Sequence, residues 1–180
     1  MPCLPHLPWA WGCWRRGERS PTAAAARKTH APAAEPQRGG GYGAAAAKQG
    51  YEQALSEIKS GRKHSHWMWY IFPQIAGLGT SETSKMYSVK SVAEAKAYLS
   101  HSLLGRRLSE CAEAVLGIAG RSAYAIFGSP DDKKLQSCAT LFACVSPPGS
   151  VFERLLDTYF QGERDRATFR LLGIEPDLQR

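Results

Sequence analysis

An all-α fold, a compact single domain of about six helices joined by short loops, is what this sequence predicts. Three observations carry the prediction. Apolar residues recur at helical spacing from about residue 51 to residue 173. Successive segments open on Ser or Asp cap signals and close on Gly or Pro. No pair of alternating segments flanks a tight hairpin turn. One minor two-stranded element, pairing residues 86–89 with residues 124–127, is the alternative addition to this scheme.

The first helix places Tyr51, Leu55 and Ile58 on one face at i, i+4, i+7, and Gly61 supplies its stop. Residues 65–72 end at Pro73, and periodicity leaves them open between a short helix and an extended run. Ser91 and Glu94 form a capping box for a helix that turns Val92, Ala95 and Leu99 inward. Ser102 is the expected cap of a longer helix with the stripe Leu104, Leu108, Cys111, Val115 and Ile118, closed by Gly120. Ser129-Pro130-Asp131-Asp132 combines an N-cap, a proline at the first helical position and two carboxylates where the helix dipole favours them. The helix that follows points Leu135, Cys138, Phe142 and Val145 inward and ends before Pro147-Pro148. Ser150 with Glu153 opens the next helix, and Asp165 caps a last one that stops at Gly173.

The chain of 180 residues carries a formal charge of +7. That charge is unevenly placed: residues 1–50 hold seven Lys or Arg against two acids, and residues 51–180 hold sixteen against fourteen. The helical part is therefore nearly balanced, and a general groove for nucleic-acid phosphates is not indicated. No apolar run approaches the roughly 20 residues that span a bilayer. Cys3, Cys13, Cys111, Cys138 and Cys144 include no CxxC pair, and the last three fall among apolar helix positions, as free thiols in a reducing compartment do.

Three segments follow from these patterns: an extension at 1–48, a helical domain at 49–173 and a short tail at 174–180. Pro2, Pro5, Pro8, Pro21, Pro32 and Pro36 break any long helix in the extension, which reads as disordered. Its Arg-rich, acid-poor character fits an organellar transit peptide, although Ser is scarce and the cluster Trp9, Trp11, Trp14 is foreign to one. An untargeted extension and a wrongly extended gene model are the other readings.

The most unusual composition lies at Gly61-Arg62-Lys63-His64-Ser65-His66-Trp67-Met68-Trp69-Tyr70-Ile71-Phe72-Pro73-Gln74. Cations, histidines and tryptophans at this density suit stacking on a planar group and pairing with an anion. Packing is the competing explanation for Trp67, Met68, Ile71 and Phe72. The next stretch, Gly77-Leu78-Gly79-Thr80-Ser81-Glu82-Thr83-Ser84, has the small residues and hydroxyls of a phosphate cradle, and equally those of an ordinary turn. Its spacing is neither a Walker loop nor a dinucleotide fingerprint, and no cofactor is implied. His64-x-His66 has no carboxylate or thiol at ligand spacing, so no metal site is expected.

These words, with AYLSHSLLGRRL, FGSPDDKKLQSCATLF and Phe160-Gln161-Gly162 before Asp165, resemble the domain of unknown function 1810 family over roughly residues 49–172. The resemblance implies a mainly helical fold and cytoplasmic relatives, and no established activity. Some members carry the label calpastatin, whose disordered inhibitory repeats have no counterpart here. The chain departs from the family pattern ahead of Tyr51, where it reads Gly41-Tyr42-Gly43-Ala44, and at Ser137-Cys138-Ala139, where relatives read Ser-Ser-Met.

The leading expectation is a protein that binds, or acts on, a phosphorylated nucleotide-like or ADP-ribose-like small molecule. Its candidate ligand contacts are Arg62, Lys63, His66, Trp69, Gln74, Gly79, Ser81, Ser84, Arg107, Asp131, Lys134 and Thr140, with His66 or His101 as candidate acid-base groups. Each has a structural alternative. His101 caps a helix end, Arg107 pairs with Glu110 or Glu113, and Asp131 answers the helix dipole. The second expectation is a non-catalytic interaction module docking a protein partner through Trp67 and Trp69. One cavity shared by Arg62, His66, Gln74, Ser81, His101 and Arg107 is what the first requires, and scattered positions favour the second.

Overall fold

The computed structural model of the protein describes residues 42–174. The expectations for the extension up to residue 41, and for Cys3 and Cys13, lie outside these residues. Nine helices run in order through them: α1 Tyr42–Lys59, α2 Met68–Ile71, α3 Glu82–Met86, α4 Val92–Ser100, α5 Leu104–Leu116, α6 Ala123–Phe127, α7 Asp131–Ala143, α8 Val151–Phe160 and α9 Arg166–Leu172. Six are substantial and three, α2, α3 and α6, are four or five residues long. The all-α prediction describes this fold.

Helix α7 is the centre of the array. Leu135 and every residue from Ser137 to Ala143 are buried, so this helix is covered nearly all round instead of along one stripe. It packs on α6, α8 and α9, while α5 joins α8 to α1 and α4. Around it a single core gathers Trp67, Phe72, Leu108, Phe127, Phe142 and Phe152. Trp67, Phe72 and Phe127 meet at tilted or edge-on angles with ring centroids 6.1–6.5 Å apart, the arrangement aromatic quadrupoles favour. No helix among the described residues is long and apolar enough to cross a membrane.

The local signals place most helix ends. Ser91 accepts from the Glu94 N–H at 3.1 Å while the Glu94 carboxylate returns to the Lys90 N–H at 2.8 Å. Ser150 and Glu153 repeat this box, reaching back to the Gly149 N–H at 2.7 Å. Asp165 accepts from the N–H groups of Ala167 and Thr168, both at 3.2 Å. Gly61 and Gly173 end α1 and α9 with positive φ.

Four expectations are corrected. Ser102 does not cap α5. The imidazole Nδ1 of His101 accepts from the N–H groups of Leu103 and Leu104 at 3.2 and 3.3 Å, because the corner between α4 and α5 is so tight that a Cβ on Gly105 would lie 2.0 Å from the Leu99 carbonyl oxygen. Helix α5 ends at Leu116, ahead of Gly120, with Gly117 at its C-cap. Pro130 occupies the N-cap of α7 and Ser129 makes no cap. Finally, residues 124–127 are not a strand. They belong to α6, where Ser122 Oγ accepts from the Ala125 N–H and Ile126 and Phe127 turn inward. Val89 instead makes an isolated parallel bridge with Ile75, through bonds from Ala76 N–H to Val89 O and from Val89 N–H to Gln74 O, each 2.8 Å.

Candidate functional site

The segment from Gly61 to Trp67 owes its shape to one carboxylate. Glu57, in the last turn of α1, accepts hydrogen bonds from the backbone N–H of His64 at 2.7 Å and of Ser65 at 3.0 Å. It also accepts from Ser65 Oγ at 2.6 Å and Trp67 Nε1 at 2.8 Å. Burial pushes the Glu57 carboxyl up, but these donors overcome it and bring the pKa down to about 2. An acid near a helix C-terminus opposes the dipole, and four donors from one loop are what hold it there. Glu57 was not among the candidates. Its signal in the sequence is its position, an acid where the dipole disfavours one, just ahead of a polar loop.

With the loop pinned, the side chains that follow are sorted. Trp67 is 1% exposed, its N–H spent on Glu57, so it packs the core and is removed from any docking surface. Lys63 reaches Asp131 Oδ2 at 2.7 Å and Lys134 reaches Asp131 Oδ1 at 2.7 Å. Burial pushes the Asp131 carboxyl up, and the two ammonium groups outweigh it and hold it below the usual carboxylate range. Lys63 also lies over the Trp67 ring at 5.4 Å and Lys134 over the Trp69 ring at 5.1 Å. Lys63, Asp131, Lys134 and Trp69 are thus one cluster, joining the loop to the start of α7.

Beside this cluster the backbone from Gly61 to Lys63 runs along α6. The Lys63 N–H donates to Ile126 O at 2.8 Å and Arg121 Nη1 donates to Gly61 O at 3.0 Å. Between the two segments opens a cleft of about 340 Å³, lined by Arg62, Lys63, Arg121 and Tyr124 and by the chain from Ala125 to Gly128. Lys63 is held by Asp131, whereas Arg62 is exposed and its guanidinium makes no ion pair among the described residues. Tyr124 stands 65% exposed on the rim. Arg121 and Tyr124 are additions that the sequence did not single out.

The remaining candidates lie in separate settings. Ser81 and Ser84 build the start of α3, Ser81 Oγ accepting from the Ser84 N–H at 3.2 Å and Ser84 Oγ donating to Ser81 O at 2.7 Å. Gly79 faces Ser84 so closely that a Cβ would lie 2.3 Å from its Oγ, which explains the glycine without a ligand. Gln74 is half-buried and its carbonyl serves the bridge to Val89. Arg107 stacks on the Tyr51 ring at 4.5 Å, and Tyr51 donates to Glu110 at 2.6 Å. His101 caps α5, as described above. Thr140 is fully buried and its Oγ1 accepts from the Asp165 N–H at 2.9 Å. Ser137 and Thr168 donate to Asp165 at 2.8 and 2.6 Å. This clip of α9 onto α7 uses Asp165, and its carboxyl, which burial pushes up, is held below the usual range by those hydroxyls and by the N–H groups of Ala167 and Thr168. His66 is exposed. Of the six residues expected around one cavity, Arg62 alone lines the cleft.

Among the described residues no group of three or more His, Cys, Asp or Glu is placed to hold a metal ion. Cys111, Cys138 and Cys144 are free. Burial pushes the Cys111 thiol up to about 12 and the fully buried Cys138 well above its ordinary value, so neither offers a thiolate near neutral pH.

Residues 42–172 match the model of a family described as "Protein of unknown function (DUF1810)". The conserved hypothetical protein Rv1873 from Mycobacterium tuberculosis, known from a crystal structure, is 45% identical with a TM-score of 0.70. The match covers 73% of this chain and 94% of that one. No curated protein matches the sequence.

Proposed function

The chain belongs to the DUF1810 family, whose description states no activity, and from the chemistry of the cleft we propose that it binds a phosphorylated, nucleotide-like small molecule there. The observation that carries this reading is Arg62, a guanidinium with no ion pair among the described residues, at a cleft that also presents Lys63, Arg121 and the exposed ring of Tyr124. An arginine fork matches the geometry of a phosphate, and a ring beside it offers a face to a planar group. The Glu57 tether supports the same reading, because a loop already fixed by four hydrogen bonds loses little entropy when a ligand arrives.

The ligand contacts in this proposal are Arg62, Lys63, Arg121 and Tyr124, with Asp131, Lys134 and Trp69 as the cluster that orients Lys63. A thermal-shift screen of nucleotides, sugar phosphates and ADP-ribose tests it. A ligand present at about 100 times its dissociation constant stabilises the folded state by about 2.7 kcal/mol, a shift easily read. If no compound raises the melting temperature of the wild type above that of an Arg62→Ala, Tyr124→Ala double variant, the proposal is wrong. Both side chains are exposed, so the double variant keeps the fold.

A further inference from the structure

We infer that the ligand of this cleft is of mononucleotide size and ends in a phosphomonoester, with the phosphate on Arg62 and Arg121 and the ring on Tyr124. This rests on the ligand reading above and narrows it. Size is the first consideration. A volume of about 340 Å³ lies at the low end of the roughly 300–1,000 Å³ range of small-molecule sites. One base, one sugar and one phosphate suit it, whereas ADP-ribose carries a second sugar-phosphate half that the cleft does not cover.

Charge is the second. Lys63 and Lys134 share Asp131, so that trio presents only one net positive charge. Among the described residues Arg62 has no ion pair, and Arg121 spends an N–H on the uncharged Gly61 carbonyl, which leaves two guanidinium charges there without a carboxylate. A terminal phosphomonoester brings about 1.5–2 negative charges at neutral pH and three acceptor oxygens, enough for both forks. Each phosphate of a diester or a pyrophosphate bridge offers fewer free oxygens and less charge.

Stacking is the third. Among the described residues the Tyr124 side chain has neither a hydrogen bond nor a ring partner, and it stands on the rim at 65% exposure. A face left open next to two guanidiniums suits a base or another planar group.

The phosphomonoester leaves a pH signature. Its second ionisation lies near about pH 6. The cleft is lined by Arg62, Lys63, Arg121 and Tyr124, and the one carboxyl paired to it, Asp131, is pushed up by burial but held below the usual carboxylate range by Lys134 and Lys63. His64 and His66 are exposed in the same loop and do not line the cleft. A loss of affinity on acidification therefore reports the proton on the ligand.

Isothermal titration calorimetry of the full chain tests the inference with the four nucleoside 5′-monophosphates, the nucleosides, inorganic phosphate, ADP-ribose and a phosphoserine peptide. The expected result is one monophosphate binding at least about tenfold more tightly than its nucleoside, than phosphate and than ADP-ribose. Its affinity falls about tenfold between about pH 7.5 and pH 5, and by about tenfold or more in Arg62→Ala. ADP-ribose binding as tightly as the monophosphate, the phosphopeptide binding more tightly, or an affinity that does not fall with pH overturns the inference and leaves the broader ligand reading standing. No binding by any of the compounds overturns both.

Discussion

Replacing Glu57 by Gln removes the charge of the carboxylate that organises the loop and one of its two acceptor oxygens. The amide oxygen at the position of Oε2 keeps the donors from His64 N, Ser65 N and Trp67 Nε1, while the NH2 group at the position of Oε1 meets Ser65 Oγ and Gln53 Nε2, which donate there at 2.6 and 3.3 Å in the wild type. The Glu57 pKa falls from the ordinary 4.5 to about 2, the donors outweighing the upward push of burial. At full value that drop corresponds to about 3 kcal/mol. The carboxylate is partly exposed, and solvent screening brings the figure to about 1–2 kcal/mol. For a domain of this size the melting temperature falls by about 3–10 °C. The sign with pH follows from the lowered folded-state pKa. The contribution is fully present above pH 4.5, declines as pH falls toward about 2, and is absent below that. Thermal unfolding followed by circular dichroism across that window therefore shows the wild type and Glu57→Gln converging in acid. A difference that stays constant from neutral pH to pH 2, or no difference at neutral pH, refutes the assignment of Glu57 as the electrostatic anchor of the loop.

Asp165→Ala removes the cap of α9 and strands the hydroxyls of Ser137 and Thr168. It costs about 2–3 kcal/mol in urea denaturation, more than a cap alone. His101→Ala loses the two bonds at the start of α5 and about 1 kcal/mol, while His101→Asn, whose side chain also accepts from backbone N–H groups, recovers most of it. A loss shared equally by both variants would contradict the cap. Gly105→Ala drives a methyl into the Leu99 carbonyl and costs about 3 kcal/mol or more, seen as a collapse in the yield of folded protein or in its midpoint of unfolding. Cys111 and Cys138 stay unmodified by iodoacetamide in the native state near pH 8 and react only on unfolding, as peptide mass spectrometry reads out, because burial holds their protons.

What the sequence made legible was local. The Ser91–Glu94 and Ser150–Glu153 boxes, the Asp165 cap and the Gly61 and Gly173 stops all act within four residues of the helix end they define, and the spacing alone identifies them. The inward faces of α5 and α7 were readable because a stripe at 3.6-residue spacing needs no partner to be named, with the exception of Leu104, which stands exposed at the start of α5. The two-stranded alternative went wrong because residues 124–127 are apolar in a run too short for periodicity to separate helix from strand, and the Ser122 cap decides the matter. The site was less legible because its chemistry is built across long separations. Arg121 lies 60 residues from the Gly61 carbonyl it holds, and Lys63 meets Asp131 from the far side of the domain sequence. Trp67 stood between core packing and docking a partner because composition does not reveal burial, and its burial bears out the core reading. Arg107 and Thr140 looked available for the same reason, and both are engaged, one by Tyr51 and the other by Asp165.

The bridge between Ile75 and Val89 also governs what can change in this protein. Both of its residues are buried, yet none of the thirteen positions between them is, and Met86 and Tyr87 stand well exposed. The central core therefore meets that excursion at its two tied ends and through half-buried Leu78, with Tyr87 against the Tyr70 ring. The closure entropy of such a loop grows with the logarithm of its length, so doubling it costs only about 0.6 kcal/mol. Insertions and deletions between residues 80 and 86, past Leu78 and ahead of Tyr87, are cheap for the fold, whereas a single extra residue among the tethered positions from Gly61 to Trp67 would shift Trp67 out of the core and Lys63 off Asp131 together.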